Sequence, residues 1–558
     1  MRSDTIPEFN LIYEPWIAVR AADGSSKEIS LLELFKGSVQ YQSLAGEIPA
    51  QNAAVLRLLL AILHGALEGK DIEGEPFSDD SEEQIDDALD LWANIWQSGF
   101  PYSRIEAYLT KYKERFYLFH PTTPFYQLAE LEKRDDAFGP FNISKLIGDL
   151  AESDNKKRLF AARSGEGKDS ISYSEATRWL LYYISYAETF GKIEAKGKKG
   201  KQDPSVGVGW LGKLGVVFAL GNNLFETLML NLVLFNRDEE PWGDGKAVWE
   251  KPVNNAERNA ISLPDSQAEL LTLQSRRILL KRNNGRVDAF KFISGDFCSS
   301  EEAFSEMMTV WKYTKLPGEK VEHYRPKTFQ PSVQVWRDFA SLMAQNDAER
   351  RRIPGVVWWL KYLIGKKRLP AASFIKFYTV GVVYGNMQAF VTDEFSDSLS
   401  FNAALLSEFN HYWITVIIDE LSTTDKLVKE VGALAQNIAK ASGVKDGNAE
   451  WNHGASARED AKMTAYYMLD PYFRSWLESI DPAADEIDGK INEWWETAKA
   501  IIRTLGSELI SNCSPQALIG RSGISAIDSY NWFIYNTHKR ESLKQREVIK
   551  HGKAASYD

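Results

Sequence analysis

Apolar residues recur at helical spacing most clearly in PAQNAAVLRLLLAILHGAL, where Val55, Leu58, Leu59, Ile62 and Leu63 share one face. The spacing predicts a helix that ends near Gly65. Upstream, FNLIYEPWIAVR (Phe9 to Arg20) alternates in an extended manner and contains Pro15, which limits helix, so a strand is expected. The stretch Asp71 to Asp90 opens as an acidic loop and becomes helical through Leu89, Trp92 and Trp96, its charges serving solvation.

Between about Arg115 and Asp393, short β-like runs (RFYLF, LGVVFAL, SRRILLKR, IKFYTVGVVYG) are mixed with helical segments such as LFETLMLNLVLF. There is no regular βαβ alternation, so the pattern is α+β. Beyond Ser400 the texture changes. Phe401, Leu405, Phe409, Trp413, Val416 and Ile417 form one helical stripe, and Leu427, Val431, Leu434 and Ile438 form a second, halted near Gly443. A long stripe through Ile487, Ile491, Trp494, Ala498, Ile501, Leu505 and Leu509 ends before Pro515, with helical stretches on either side. Antiparallel helices with short connections pack as a bundle. The boundary falls between Asp393 and Ser400, giving a mixed domain over 1–395 and a helical one over 396–558.

A chain of 558 residues, 44% hydrophobic and 26% charged, suits at least two folded domains. No apolar run reaches the length of a membrane span and the start lacks the features of a signal peptide, so the expectation is a cytoplasmic protein without a membrane partner. Two cysteines, Cys298 and Cys513, build neither a disulfide framework nor a cysteine-rich zinc site. A net charge of −11 argues against coating nucleic acid with the whole surface, so any such contact must be local.

The segment GVGWLGKL (Gly207 to Leu214) has the spacing of a nucleotide-binding glycine loop, but Leu214 has no hydroxyl to hold magnesium, and KGKKGKQDPS is not the preceding strand such a loop needs. No nucleotide cofactor is expected. The same glycines allow close backbone approach to a groove or phosphate, with Lys196, Lys198, Lys199 and Lys201 beside them. The histidines show no metal-ligand spacing, and no G-x-S-x-G elbow occurs. Basic residues cluster at Arg276, Arg277, Lys281, Arg282 and Arg286, at Arg350 to Arg352, and at Lys366, Lys367 and Arg368, which together fit a local phosphate-tracking surface. KFYTVGVVYGNMQAFVTDEF reads as strand, turn, strand, with Gly385 and Asn386 tolerating positive φ and Gln388 at or beside the tip. A side chain on a rigid tip suits a wedge that unstacks bases; an ordinary surface turn has the same sequence.

Several of these segments together resemble the CasA family, the large subunit of the type I-E CRISPR Cascade surveillance complex. The likeness is carried by FNLIYEPWIAVR, SLAGEIPAQNAAVLRLLLAIL, FYLFHPTTPFYQL with Pro124, Phe125 and Gln127, VGWLGKLGVVFALGNNLFETLMLNLV, and LTLQSRRILL, in that order. The resemblance implies an α+β domain of unusual topology followed by a four-helix bundle. It implies a non-catalytic subunit that recognises the protospacer-adjacent motif in double-stranded DNA, starts strand separation, and presents a platform for the helicase-nuclease. Its implied partners are the other Cascade subunits, the CRISPR guide RNA and target DNA. The family's glycine loop corresponds to the region Gly200 to Gly209, with Gly200, Lys201, Gly207 and Gly209 as candidate contacts beside Lys198 and Lys199. Its glutamine wedge corresponds to Gln388, with Asn386 adjacent and Met387 where a polar residue is expected. Its lysine finger corresponds to the hairpin from Lys281 to Phe297, with Lys291 as the candidate. Its guide-handle loop corresponds to Phe160 to Ser170, with Phe160 and Arg163. Some relatives carry a cysteine-ligated zinc; this chain lacks those cysteines and no metal is expected. A scaffold without DNA readout and a hydrolase with dispersed carboxylates are the alternatives.

Overall fold

Helix Pro49–Leu67 is long and apolar enough to cross a membrane, yet it is almost entirely buried in protein. In the structure, a computed structural model, residues 6–67, 69–135, 137–150, 163–190, 207–253, 264–345, 350–370, 374–444, 453–521 and 523–538 are described. Gly65 does not end this helix. A Cβ there would collide with the Tyr108 ring, so the glycine makes room for a neighbour while the helix runs on to Leu67. The polar Arg57 on its buried length is satisfied by two bonds of 2.8 and 2.9 Å to Glu306.

The opening segment makes two strands instead of one. Glu8–Asn10 pairs with Tyr117–Phe119, whereas Ile17–Ala21 pairs with Ser26–Ile29 and Tyr41–Leu44. Between them the Asn10 side chain accepts from the Ile12 N–H at 3.1 Å and the Asn10 carbonyl from the Glu14 N–H at 2.8 Å, so a turn forms before Pro15. The acidic stretch leads into helix Ser81–Ser98, where Asp80 caps the N-terminus by accepting from Glu82 and Glu83. Two further three-stranded sheets position the candidate site. One is ordered Phe138–Asn142, Arg286–Ser294, Arg276–Asn283; the other Val391–Asn402, Phe374–Tyr384, Val216–Leu220. The run LFETLMLNLVLF is helical only over Leu224–Asn231.

By contacts, one compact unit comprises Met1–Val333, Gln345–Leu369 and Ile375–Ser398, and a second comprises Gln334–Ala344, Pro370–Phe374 and Leu399–Asp558. The second unit thus draws in two segments that a single cut along the chain leaves in the first. Among the described residues its helices are the short Phe339–Met343, the long His411–Ala441, Ala455–Glu478 and Ile487–Ser511, the short Pro515–Ile519, and helical residues 526–538. The first two stripes belong together: Trp413, Val416, Ile417, Leu427, Val431 and Leu434 are buried along one 31-residue helix. Phe401 instead lies in strand Val391–Asn402, Leu405 lies in a 3-10 turn, and Phe409 is 97% exposed. No proline separates Ile417 from Leu427, so nothing in the chain stops the helix there. Trp494 fills the seam, packing edge-on to Phe473 at 5.1 Å and donating its indole N–H to Thr424 at 3.0 Å.

Candidate nucleic-acid interface

Helix Tyr173–Tyr186 is capped by Ser172, which accepts from the Glu175 N–H, and the chain leaves its C-terminus extended through Phe190. That short strip, residues 185–190, is where the two candidate DNA elements meet. The Gly209 N–H donates to the Ala187 carbonyl at 2.8 Å. A Cβ on Gly209 would overlap the Ser185 carbonyl, so only glycine fits this approach. Gly207, at φ +71°, is tied to the same strip by Arg276, whose guanidinium donates to the Gly207 carbonyl at 2.8 Å and the Glu188 carbonyl at 2.7 Å. On the other side, the Thr189 N–H donates to the Gln388 carbonyl at 2.8 Å.

The stems of the two elements touch as well. Tyr384, the last residue of strand Phe374–Tyr384, donates its hydroxyl to the Tyr186 carbonyl at 2.7 Å, and its ring occupies the space that a Cβ on Gly212 would need. Trp210 is buried and donates to Glu306 at 2.7 Å, the carboxylate already held by Arg57. Lys145 pairs with Glu188 and lies over the Phe141 and Phe190 rings. The strip is therefore fixed by buried polar bonds on several sides, each worth about 1 kcal/mol or more where a charged group takes part.

The tip itself is exposed and uncharged, Asn386 to Ala389. The residues with positive φ are Met387 and Gln388, both at +55°, and not Gly385, which is at −73°. Gly385 is needed for another reason: a Cβ there would strike the Phe390 ring that closes the turn. Met387 is 83% exposed. Left-handed backbone at two side-chain-bearing residues costs roughly 1 kcal/mol each, and both residues are exposed.

Gly200, Lys201, Lys198, Lys199 and Lys196 fall in 191–206, and Phe160 in 151–162, outside the described residues. The chain enters the first of those segments from Phe190, on the strip, and leaves it at Gly207, which Arg276 ties to the strip. Arg163 is half-buried, pairs with Glu175 and with Asp149 at 3.4 Å, and lies over the Trp179 ring. Lys291 sits mid-strand opposite Leu279, alternating with Phe290 and Phe292; those rings join Phe141 and Tyr183, so Lys291 faces away from that cluster. Of the basic clusters expected to form a phosphate-tracking surface, Arg276 and Arg277 are buried, whereas Arg286, Arg350, Lys366 and Lys367 are exposed. Arg276 and Arg277 are 1% and 2% exposed, Arg277 being paired with Asp296. Arg282 pairs with Glu8, Arg286 donates to Ser170, and Arg368 pairs with Asp90. Arg350 and Arg352 lie over the Tyr313 and Phe304 rings.

Residue reasoning missed the strip, Arg276, Trp210, Glu306 and Tyr384 as supports. Only Trp210, the one large ring inside GVGWLGKL, carried a local signal. Two cavities are each lined by one carboxylate: Asp244 in one of about 430 Å³ and Glu132 in one of about 340 Å³. His64, at the first, is held neutral by burial, which lowers its pKa to about 3. Among the described residues no group of three His, Cys, Asp or Glu could hold a metal ion.

The family model for CRISPR-associated protein Cse1 matches residues 10–505. A curated CRISPR-associated protein CasA/Cse1 from Thermus thermophilus is 32% identical over 248 residues, 44% of this chain and 43% of that protein, so the match spans less than half of the relative's length. The crystal structure of Thermobifida fusca Cse1 superposes with a TM-score of 0.79 at 29% identity, covering 96% of this chain and 98% of that one. Cse1 from Acidimicrobium ferrooxidans superposes with a TM-score of 0.75 at 24% identity, covering 96% and 99%.

Proposed function

Because the chain belongs to the Cse1 family of CRISPR-associated proteins, we propose that it is a non-catalytic subunit of an RNA-guided surveillance complex that recognises the protospacer-adjacent motif in duplex DNA. In this reading it begins strand separation there and helps recruit the helicase-nuclease. The guide RNA checks the target by base pairing, and the protein reads only the short neighbouring motif. What supports the reading is the fastening of Gly207 and Gln388 to one strip, residues 185–190, which brings a partly exposed glycine and an exposed tip to the same support. Of the two glycines only Gly207 is partly exposed, and its backbone suits the minor groove, whereas Gly209 is buried and serves internal packing; the Gln388 side chain suits insertion between base pairs once the groove is engaged.

The test uses the assembled complex with Gln388→Ala. Strand opening, followed by a fluorescent base analogue next to the motif, should slow by about tenfold or more, the scale of a lost unstacking contact. Initial duplex binding should change much less. Opening at the unaltered rate removes the wedge.

A further inference from the structure

Glu394 lies on Val391–Asn402, the strand that returns from the Gln388 tip. Its carboxylate accepts a hydrogen bond from the Ala50 N–H at 3.0 Å. Ala50 is in the first turn of helix Pro49–Leu67, where N–H groups have no acceptor within the helix and the dipole favours an anion. The bond therefore ties the hairpin to a helix that is almost entirely buried. Its surroundings are poor in compensation. The hydroxyls of Tyr182 and Tyr186 and the Gln51 amide nitrogen are buried with no hydrogen-bond partner among the described residues. The charges facing Glu394 are Asp393 on its own strand and Asp149, the latter paired with Arg163.

We propose that Glu394 is a positioning residue that docks the hairpin on the N-terminus of helix Pro49–Leu67 and so sets how Gln388 is presented. For DNA opening this rests on the wedge reading of Gln388; the docking itself does not.

Docking has a pH signature. Burial, with Asp149 and Asp393 adding to it, raises the Glu394 carboxyl from its ordinary 4.5 to about 7, against the lowering effect of the Ala50 N–H. A hairpin that lifts away returns the carboxyl toward the ordinary value. Between those two values the docked form holds a proton that the lifted form releases, so docking is strongest at low pH and weakens about tenfold per pH unit up to about 7. Above that it weakens no further.

The experiment is amide hydrogen exchange in the full chain from pH 5 to 8, corrected for intrinsic exchange, read at Ala50 and at Thr189, whose N–H donates to Gln388. Protection should fall with pH in the unaltered protein and stay level in Glu394→Gln, which keeps an acceptor but does not titrate. Ala50→Pro removes the donor at a position where the first helical turn tolerates proline, and should lower Thr189 protection at every pH. Level protection in the unaltered protein, or an unchanged slope in Glu394→Gln, overturns the proposal. Strand opening by Gln388→Ala, measured in parallel, judges the wedge separately: opening at the normal rate removes the wedge and leaves the docking result standing.

Discussion

The strand Arg276–Asn283 and the hairpin tip Asn386–Ala389 use polarity in opposite ways. The strand is rich in cations, but its first two arginines are buried and spend their hydrogen bonds on carbonyls and on Asp296. The tip carries no charge and is open to solvent. Affinity for nucleic acid from phosphate neutralisation requires accessible charge, and an arginine already committed to protein acceptors supplies little of it. A cluster of basic letters thus marks internal scaffolding here, and the exposed candidate contact is a neutral turn held in place by that scaffolding.

The most severe way to break this contrast is Arg276→Leu. It leaves the Glu188, Gly207 and Ser275 carbonyls without their buried donor and should destabilise the first unit by about 3 kcal/mol or more, read as a lower thermal midpoint. An unchanged midpoint would show that the arginine is not structural. Next in size is a matched pair of charge reversals. Lys198, Lys199 and Lys201 to Glu should weaken duplex binding by the complex and reduce the steepness of its salt dependence by about 2 to 3, while Lys281 and Arg286 to Glu should leave the slope nearly unaltered. Equal slopes for both sets would favour a scaffold that does not touch DNA. The smallest effect is at the tip: Met387→Asn relieves a left-handed methionine and should raise stability by no more than about 1 kcal/mol, with unfolding by urea as the readout.

Much of the local structure was legible because it depends on neighbours in sequence. The helical face of Val55, Leu58, Leu59 and Ile62, the hairpin around Gln388, and the stripe from Ile487 to Leu509 all follow from periodicity and turn chemistry. Misreadings arose where a distant partner decides. Gly65 looked like a helix end because the space for Tyr108 is not visible along the chain. Two stripes looked like two helices because the buried face of the single helix His411–Ala441 carries the polar Glu420 and Thr424 between Ile417 and Leu427. The hairpin was found, but its left-handed residues were assigned one or two positions too early, since the Phe390 ring that constrains Gly385 acts through space.

The sequence by itself determined many of the elements, the mixed character of the fold with its helical C-terminal region, and the family, because these rest on short-range propensity and on the order of extended segments. Only the tertiary structure decided that Arg276 is an internal tie, that Thr189 meets Gln388, and that Glu394 meets Ala50. The physical reason is that burial and hydrogen-bond partnership belong to pairs of residues as many as 344 positions apart, and no property of either residue alone encodes the other.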